Sequence, residues 1–253
     1  MIFPIFPIMT TQWLLPVLRI RRWLICLIAL SLPCLSSAQA VECGPAQTSL
    51  IELYTSQGCS SCPPAERWLN SFLDHPGLWK EVVPVAFHVD YWDYLGWKDG
   101  YANSAYSQRQ RRHARLGNVS SVYTPGILVN GAEWRGLFGG RRSLRRPNAK
   151  PGVLRLTLND KQLRVRFVPT NHISPGLINI ALLGYDIVTK VAGGENAGRE
   201  LAQEFVVLHH DEEAFTRSNQ ADFSLPDTVD FQAMAVWLTD DRKRVIQACG
   251  LSL

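Results

Sequence analysis

Beyond position 40 the chain has no apolar run near the roughly 18 residues that a membrane helix requires, so no span is expected in its main body. Methionine is scarce: Met1, Met9 and Met234 are the whole supply, too few and too scattered for a methionine-rich copper site. Charged residues make up 19% against 46% hydrophobic, a globular balance that excludes general disorder. There is no internal repeat and no extended low-complexity segment, and 253 residues allow one large domain or two ordinary ones.

The first 40 residues contain no acid. Arg19, Arg21 and Arg22 lead into the apolar stretch 23–35, and Ser36-Ser37-Ala38-Gln39-Ala40 follows. A basic segment, a short apolar core and an Ala-x-Ala end are the parts of a secretory signal peptide, expected over 1–40. An uncleaved anchor helix is the alternative. Arg21-Arg22 before Trp23-Leu24 is a weak match to a twin-arginine signal, and Cys34 after Leu32-Pro33 does not suit a lipoprotein anchor. Cleavage would leave 253 − 40 = 213 residues, with 26 − 3 = 23 basic against 22 acidic groups, so net charge falls from +4 to +1. The basic balance belongs largely to the leader, and no nucleic-acid partner is expected. Four cysteines remain, because Cys26 and Cys34 leave; an exported chain with four permits two disulfides in three connectivities.

Residues 48–54 form a short apolar run suited to a buried strand. A turn at 55–58 leads to Cys59-Ser60-Ser61-Cys62-Pro63-Pro64, and Ala65, Trp68, Leu69, Phe72 and Leu73 then define one helical face. The pattern predicts a second strand at 82–89, a helix at 102–116 and a third strand at 126–129 after Tyr123-Thr124-Pro125. Asn130-Gly131 signals a hairpin, with 133–136 pairing back. This order reads as an α/β unit over 41–146. Seven strand candidates follow, at 153–158, 163–168, 177–183, 201–208, 221–225, 233–239 and 244–249. They predict an all-β immunoglobulin-like sandwich over 147–253 as a second domain.

The spacing Cys59-x-x-Cys62, after a strand and at a helix entry, has a physical reason. Two intervening residues let both sulfurs meet on one turn, and the helix amides favour a thiolate at Cys59. That thiolate attacks a substrate disulfide, and Cys62 is placed to resolve the mixed disulfide. Zinc also uses this spacing, but no second Cys-x-x-Cys exists, and zinc is the weaker reading. Thr124-Pro125 adds a proline before a strand, where a cis bond leaves the preceding backbone exposed as a docking edge. His88 and Asp90 lie two apart at a strand end, hence on one face, and would tune the thiol; a satisfied strand-end histidine and a loop aspartate are the competing reading. By elimination Cys43 and Cys249 form the second, structural bridge, in preference to free or intermolecular thiols.

The runs E-L-Y-T-S-Q-G-C-S-S-C-P-P-A-E and A-F-H-V-D-Y-W-D-Y-L-G-W-K-D resemble a family of exported bacterial proteins catalogued as a domain of unknown function. V-Y-T-P followed by V-N-G, and Gly193-Gly194-Glu195-Asn196-Ala197-Gly198-Arg199, match it too. The resemblance implies a thioredoxin-like fold for the first domain and a periplasmic or secreted location. It makes Cys59 the nucleophile, Cys62 the resolving thiol, Pro125 the cis-proline and Thr124 the residue whose backbone meets substrate. Ser60-Ser61 replaces the Gly-Pro of ordinary thioredoxin, and Gln57-Gly58 stands where thioredoxin carries a tryptophan.

Three functions compete: thiol-disulfide exchange with protein or small-molecule thiols and disulfides, a binding module with a structural disulfide, and Cu(I) handling. No cofactor and no metal are expected. Trp92 and Trp97 are read as packing rather than groove walls, and His209-His210-Asp211 as a loop end. Arg109, Arg111, Arg112 and Arg115 are read as a solvated helix face, and Arg141, Arg142, Arg145 and Arg146 as part of a linker.

Overall fold

The computed structural model describes residues 38–172, 176–214 and 219–253. The leader expected over 1–40 lies outside the described residues as far as Ser37, whereas Gln39 and Ala40 belong to the first strand, β1 (Gln39–Cys43). The next elements are β2 (Ser49–Thr55), α1 (Pro63–Asn70), β3 (Val82–His88), α2 (Ser104–Arg115), β4 (Gly126–Val129) and β5 (Ala132–Glu133). Pro63 and Pro64 open α1, where first-turn amides have no intrahelical partner. The Asn103 side chain caps α2 by accepting from the Ala105 amide at 2.9 Å. Asn130 and Gly131, both at positive φ, turn β4 into β5.

The later strands are β6 (Gly152–Asn159), β7 (Gln162–Pro169), β8 (Leu177–Gly184), β9 (Ile187–Lys190) and β10 (Glu200–Gln203). They are followed by β11 (Val206–Ala214), β12 (Gln220–Ser224), β13 (Ala233–Thr239) and β14 (Val245–Ser252). The expected strand at 201–208 divides at Glu204-Phe205, where Phe205 takes a positive φ and the chain leaves β10 for β11. His209, His210 and Asp211 lie within β11, not at a loop end. His210 stacks on Trp237, with its Nε2 3.2 Å from Asn179 Oδ1.

The expected fold class, an α/β thioredoxin-like domain followed by an immunoglobulin-like sandwich, is corrected by the sheet topology. One eight-stranded mixed sheet runs β14-β13-β8-β11-β3-β2-β4-β5 and takes strands from both halves of the chain. A four-stranded antiparallel sheet, β1-β6-β7-β12, and the β9-β10 hairpin complete a β-rich structure with two short helices among the described residues. The junction is the parallel pairing of β11 with β3, Val206 opposite Ala86, where the Ala86 amide donates to the Phe205 carbonyl at 2.8 Å. A buried β3 edge would otherwise leave its polar backbone groups unsatisfied. Residues 38–253 accordingly form one compact unit.

The large sheet is covered on both faces. In β8, Ala181 and Leu183 face the core that holds α1 and β2, while Ile178, Ile180 and Leu182 face the four-stranded sheet. In β13, Ala233, Ala235 and Trp237 share the first core, and Met234, Val236 and Leu238 the second. The period-2 geometry of a strand sends alternate side chains to opposite faces, and burial on both leaves no polar side to read. The disulfide Cys43–Cys249 ties β1 of the smaller sheet to β14 of the larger. Its sequence separation of 206 gives it a large effect on unfolded-chain entropy, about 5 kcal/mol by loop closure.

Arg109 is not on a solvated face. It is 1% exposed, donates from Nε to Glu52 Oε2 at 3.0 Å and from Nη1 to Asn179 Oδ1 at 3.1 Å, and lies over the Phe87 and Trp237 rings. Burial opposes the Glu52 charge, but Arg109, His113 and the Tyr54 hydroxyl together hold the carboxyl below its usual value. Removing one member leaves the other as an uncompensated buried charge. Arg109→Met is expected to cost about 3–5 kcal/mol in urea unfolding, with part of the loss recovered by adding Glu52→Gln; a loss below about 1 kcal/mol would disprove the coupling.

His113, beside this pair, is pushed down by burial to about 4. Between an unfolded value near 6.5 and that folded value the unfolded state binds the extra proton, so stability falls as pH drops across the window. The contribution amounts to about 3 kcal/mol. His113→Gln should flatten this part of the stability–pH curve, measured by urea midpoints from pH 7 to pH 4; an unchanged slope would show that His113 is not its source.

Candidate functional site

The site is the loop that carries the chain from β2 into α1. Cys59 and Cys62 are joined by a disulfide, and Cys62 is the residue that caps α1. Both cysteines are fully buried at 0% exposure, whereas Ser60 and Ser61 are exposed. Ser61 Oγ lies 3.3 Å from Cys59 Sγ. The motif sits at the N-terminal, positive end of the α1 dipole, a favourable setting for a thiolate once the bridge is reduced, although Pro63 and Pro64 supply no amide donor there.

A strap from the later half of the chain crosses this loop. It is the 3-10 turn Gly194–Asn196, carried between β9 and β10. Asn196 Nδ2 donates to the carbonyls of Gln57 and Cys59, both at 2.9 Å, and is itself wholly buried. Glu195 Oε2 accepts from the Ser60 amide at 3.0 Å and from its hydroxyl at 2.8 Å. The approach is close enough to require glycine: a Cβ on Gly193 would collide with the Gly96 carbonyl, and Gly194 sits at φ 70° against Gly58.

Gln57 is a buried hub. Its Nε2 donates to Gln203 Oε1 at 2.8 Å and Thr189 Oγ1 at 3.0 Å, and its Oε1 accepts from Trp97 Nε1 at 3.0 Å. Its backbone amide donates to Asp99 Oδ2 at 2.9 Å. Trp97 therefore serves as a tie. Trp92 is another: its Cβ packs against Gly58, and its Nε1 donates to Thr124 Oγ1 at 2.7 Å. The Thr124–Pro125 bond is cis, and the Trp92 contact draws this turn beside the cysteine loop. Pro125 is buried and Thr124 half-buried.

His88 and Asp90 do not act together. His88 Nδ1 pairs with Asp99 Oδ2 at 2.7 Å, and the Asp90 carboxylate accepts instead from the Ser107 hydroxyl. Their shared parity holds only while the strand continues, and β3 ends at His88. Burial disfavours an imidazolium at His88, but the Asp99 carboxylate, with Glu66 adding to it, raises the histidine above its ordinary value. Burial also opposes the charge on Asp99, and His88 reverses this to hold it low. Glu66, one turn past Cys62, accepts from Thr55 Oγ1 at 2.7 Å and Gln203 Nε2 at 3.2 Å; burial raises its carboxyl, with His88 opposing. Glu66, Asp99, Gln57, Glu195 and Asn196 carry the polar frame of the site. All five fall within the runs that carry the family resemblance; Gln57 alone was singled out there by itself, and nothing local gave a role to the other four.

Among the described residues no group of three or more His, Cys, Asp or Glu is arranged to hold a metal ion, and His88 is engaged with Asp99. Asn196→Ala would remove the donor to the Gln57 carbonyl and one of the two donors to the Cys59 carbonyl, which keeps the Cys62 amide, and is expected to cost about 1–3 kcal/mol in thermal or urea unfolding. A neutral result would show that the strap does not hold the loop.

A crystal structure of an Agrobacterium tumefaciens protein superposes with a TM-score of 0.60 at 24% identity, covering 82% of this chain and 95% of that one. HBP35 of Porphyromonas gingivalis is similar at a TM-score of 0.50 and 12% identity, covering 82% of this chain and 76% of its own. At these identities the likeness concerns the fold alone. No curated protein matches the chain. Residues 50–239, which include the cysteine loop, the cis-proline and the strap, match the protein family of unknown function DUF1223, and the chain belongs to that family.

Proposed function

We propose that the protein is an exported thiol-disulfide oxidoreductase working through Cys59 and Cys62 in the periplasm or outside the cell. The observation that carries this reading is the bridged Cys59–Cys62 pair at the start of α1, flanked by the cis Thr124–Pro125 turn. Two disulfides suit an oxidising compartment, and no helix among the described residues is long and apolar enough to cross a membrane.

In the oxidised form a substrate thiolate attacks Cys59 Sγ. A substrate–Cys59 bond forms, the Cys59–Cys62 bond breaks, and the electron pair leaves on Cys62, which takes up a proton. A second substrate thiolate then attacks its own sulfur in the mixed disulfide and releases Cys59. The substrate is oxidised to a disulfide and the protein reduced to a dithiol; the reverse sequence reduces a substrate disulfide. The positive end of the α1 dipole favours the Cys59 thiolate, and the Glu66 carboxyl, raised by burial, lies one turn past Cys62. The motif presents only Ser60 and Ser61 to solvent, so attack follows release of the Glu195–Ser60 contact.

A second reading, a structural bridge in a binding module, is favoured by one observation: both cysteines are sealed and Asn196 clamps their loop. The reduction potential separates the two. A value between about −270 and −120 mV supports exchange, and one below about −300 mV marks a structural bridge. Cys62→Ser is expected to accumulate mixed disulfide with a substrate disulfide, the Cys59 thiolate attacking one substrate sulfur and releasing the other as a thiolate, resolved by mass spectrometry. Cys59→Ser is expected to lose exchange with a dithiol substrate, and full activity in that variant would remove the proposed nucleophile.

A further inference from the structure

A large cavity begins at Ser61. It is a groove of about 880 Å³ between the outer face of α1 and the irregular segment 137–146. The segment is anchored there: Trp68 Nε1 donates to the Arg142 carbonyl at 3.0 Å, and Trp68 stacks on Trp134 with centroids 5.0 Å apart. The groove walls are apolar where Trp68, Phe72, Phe138 and Leu144 contribute. Phe138 is 57% exposed, a large ring left facing water.

Charge distinguishes this groove from a simple apolar cleft. Arg67, Arg142, Arg145 and Arg146 line it, and Glu81 is its one carboxylate, already paired with Arg146. The lining thus carries four positive charges against one negative, a net of +3, while the whole chain from Val41 onward nets +1. The arginines that read in sequence as linker line this groove, with Arg146 paired to Glu81 at the end of β3 away from the disulfide. Guanidinium groups in a partly apolar cleft favour carboxylates, which they bind through planar paired donors.

We infer that this groove is the docking site for substrate, an acidic polypeptide segment whose apolar side chains seat against Trp68, Phe72 and Phe138 and whose cysteine is delivered at Ser61. Ser61 Oγ, 3.3 Å from Cys59 Sγ, joins the groove to the reacting sulfur. The inference rests on the exchange reading for its last clause. Anionic lipid or another polyanion would satisfy the arginines, but neither brings a sulfur to Cys59, and the aromatic wall suits side chains.

The test uses the chain with both disulfides formed and a fluorescein-labelled peptide in which Asp and Glu alternate with Phe and Leu around a Ser-x-x-Ser centre. Fluorescence anisotropy should give it an affinity at least about tenfold above that of the matching Lys-substituted peptide, with binding weakened by salt. Arg142→Glu combined with Arg145→Glu should lose about tenfold, and Arg166→Glu on exposed β7 should change nothing. Equal affinity for the two peptides would overturn the inference, as would indifference to the double reversal. So would binding to phosphatidylglycerol vesicles or self-association that depends on the same arginines while the acidic peptide is ignored.

The Cys-x-x-Cys version of the peptide and dithiothreitol then separate the two claims. If the Ser peptide binds but neither dithiol reduces Cys59–Cys62, docking stands and exchange fails. If both dithiols exchange but acidic and basic peptides do so equally, exchange stands and the acidic groove fails.

Discussion

The structure depends on the short parallel contact between β11 and β3. Val206 opposite Ala86, with the Phe205 carbonyl accepting from the Ala86 amide, joins a parallel α/β element to an antiparallel meander as one sheet. Its value is geometric. A strand edge that would stand open is paired and buried, and the hairpin preceding β11 is thrown across the cysteine loop. The strap, with Asn196 and Glu195, is in place because β10 ends where β11 must begin. The Cys43–Cys249 bridge works at the β14 edge of the large sheet, fastening the smaller sheet to it.

Continuity of the sheet explains the unusual distribution of buried polarity. Arg109, Glu52, Asn179 and His210 come from α2, β2, β8 and β11, and they meet only because those strands are neighbours or near neighbours. The same holds on the cysteine side, where Gln57 reaches Thr189 and Gln203 across more than a hundred residues. A polar group this deep is tolerated when its partners are supplied by the fold, and each pairing then links distant segments cooperatively. The Cys59–Cys62 loop is consequently held by both halves of the chain.

Much of the local structure was legible in the sequence. The strands at 126–129 and 233–239 have the predicted limits, and most others differ by one or two residues at an end. β1 and β9 were not anticipated: β1 emerges from the leader region, and β9 is a four-residue strand with alternating exposure and no apolar run. His88 and Asp90 illustrate the limit of parity arguments, since the strand stops at His88 and the partner comes from a later loop. Arg109 shows another limit. Nothing in a helix bearing four arginines tells which one turns inward, because its carboxylate and aromatic partners lie on other elements.

The sequence by itself determined the element types, the Cys-x-x-Cys at a helix entry, the proline before β4 and the pairing of Cys43 with Cys249 once Cys59 and Cys62 were set aside. These follow from local periodicity, turn chemistry and cysteine counting, which act over a few residues or by simple exclusion. Only the tertiary structure decided that the two halves share one sheet, that Asp99 rather than Asp90 meets His88, and that arginines of an apparent linker line a groove beside Ser61. Those outcomes depend on which strand edges pair and which faces are covered. Edge pairing is a contest among alternatives of similar local preference, settled by burial over the whole chain.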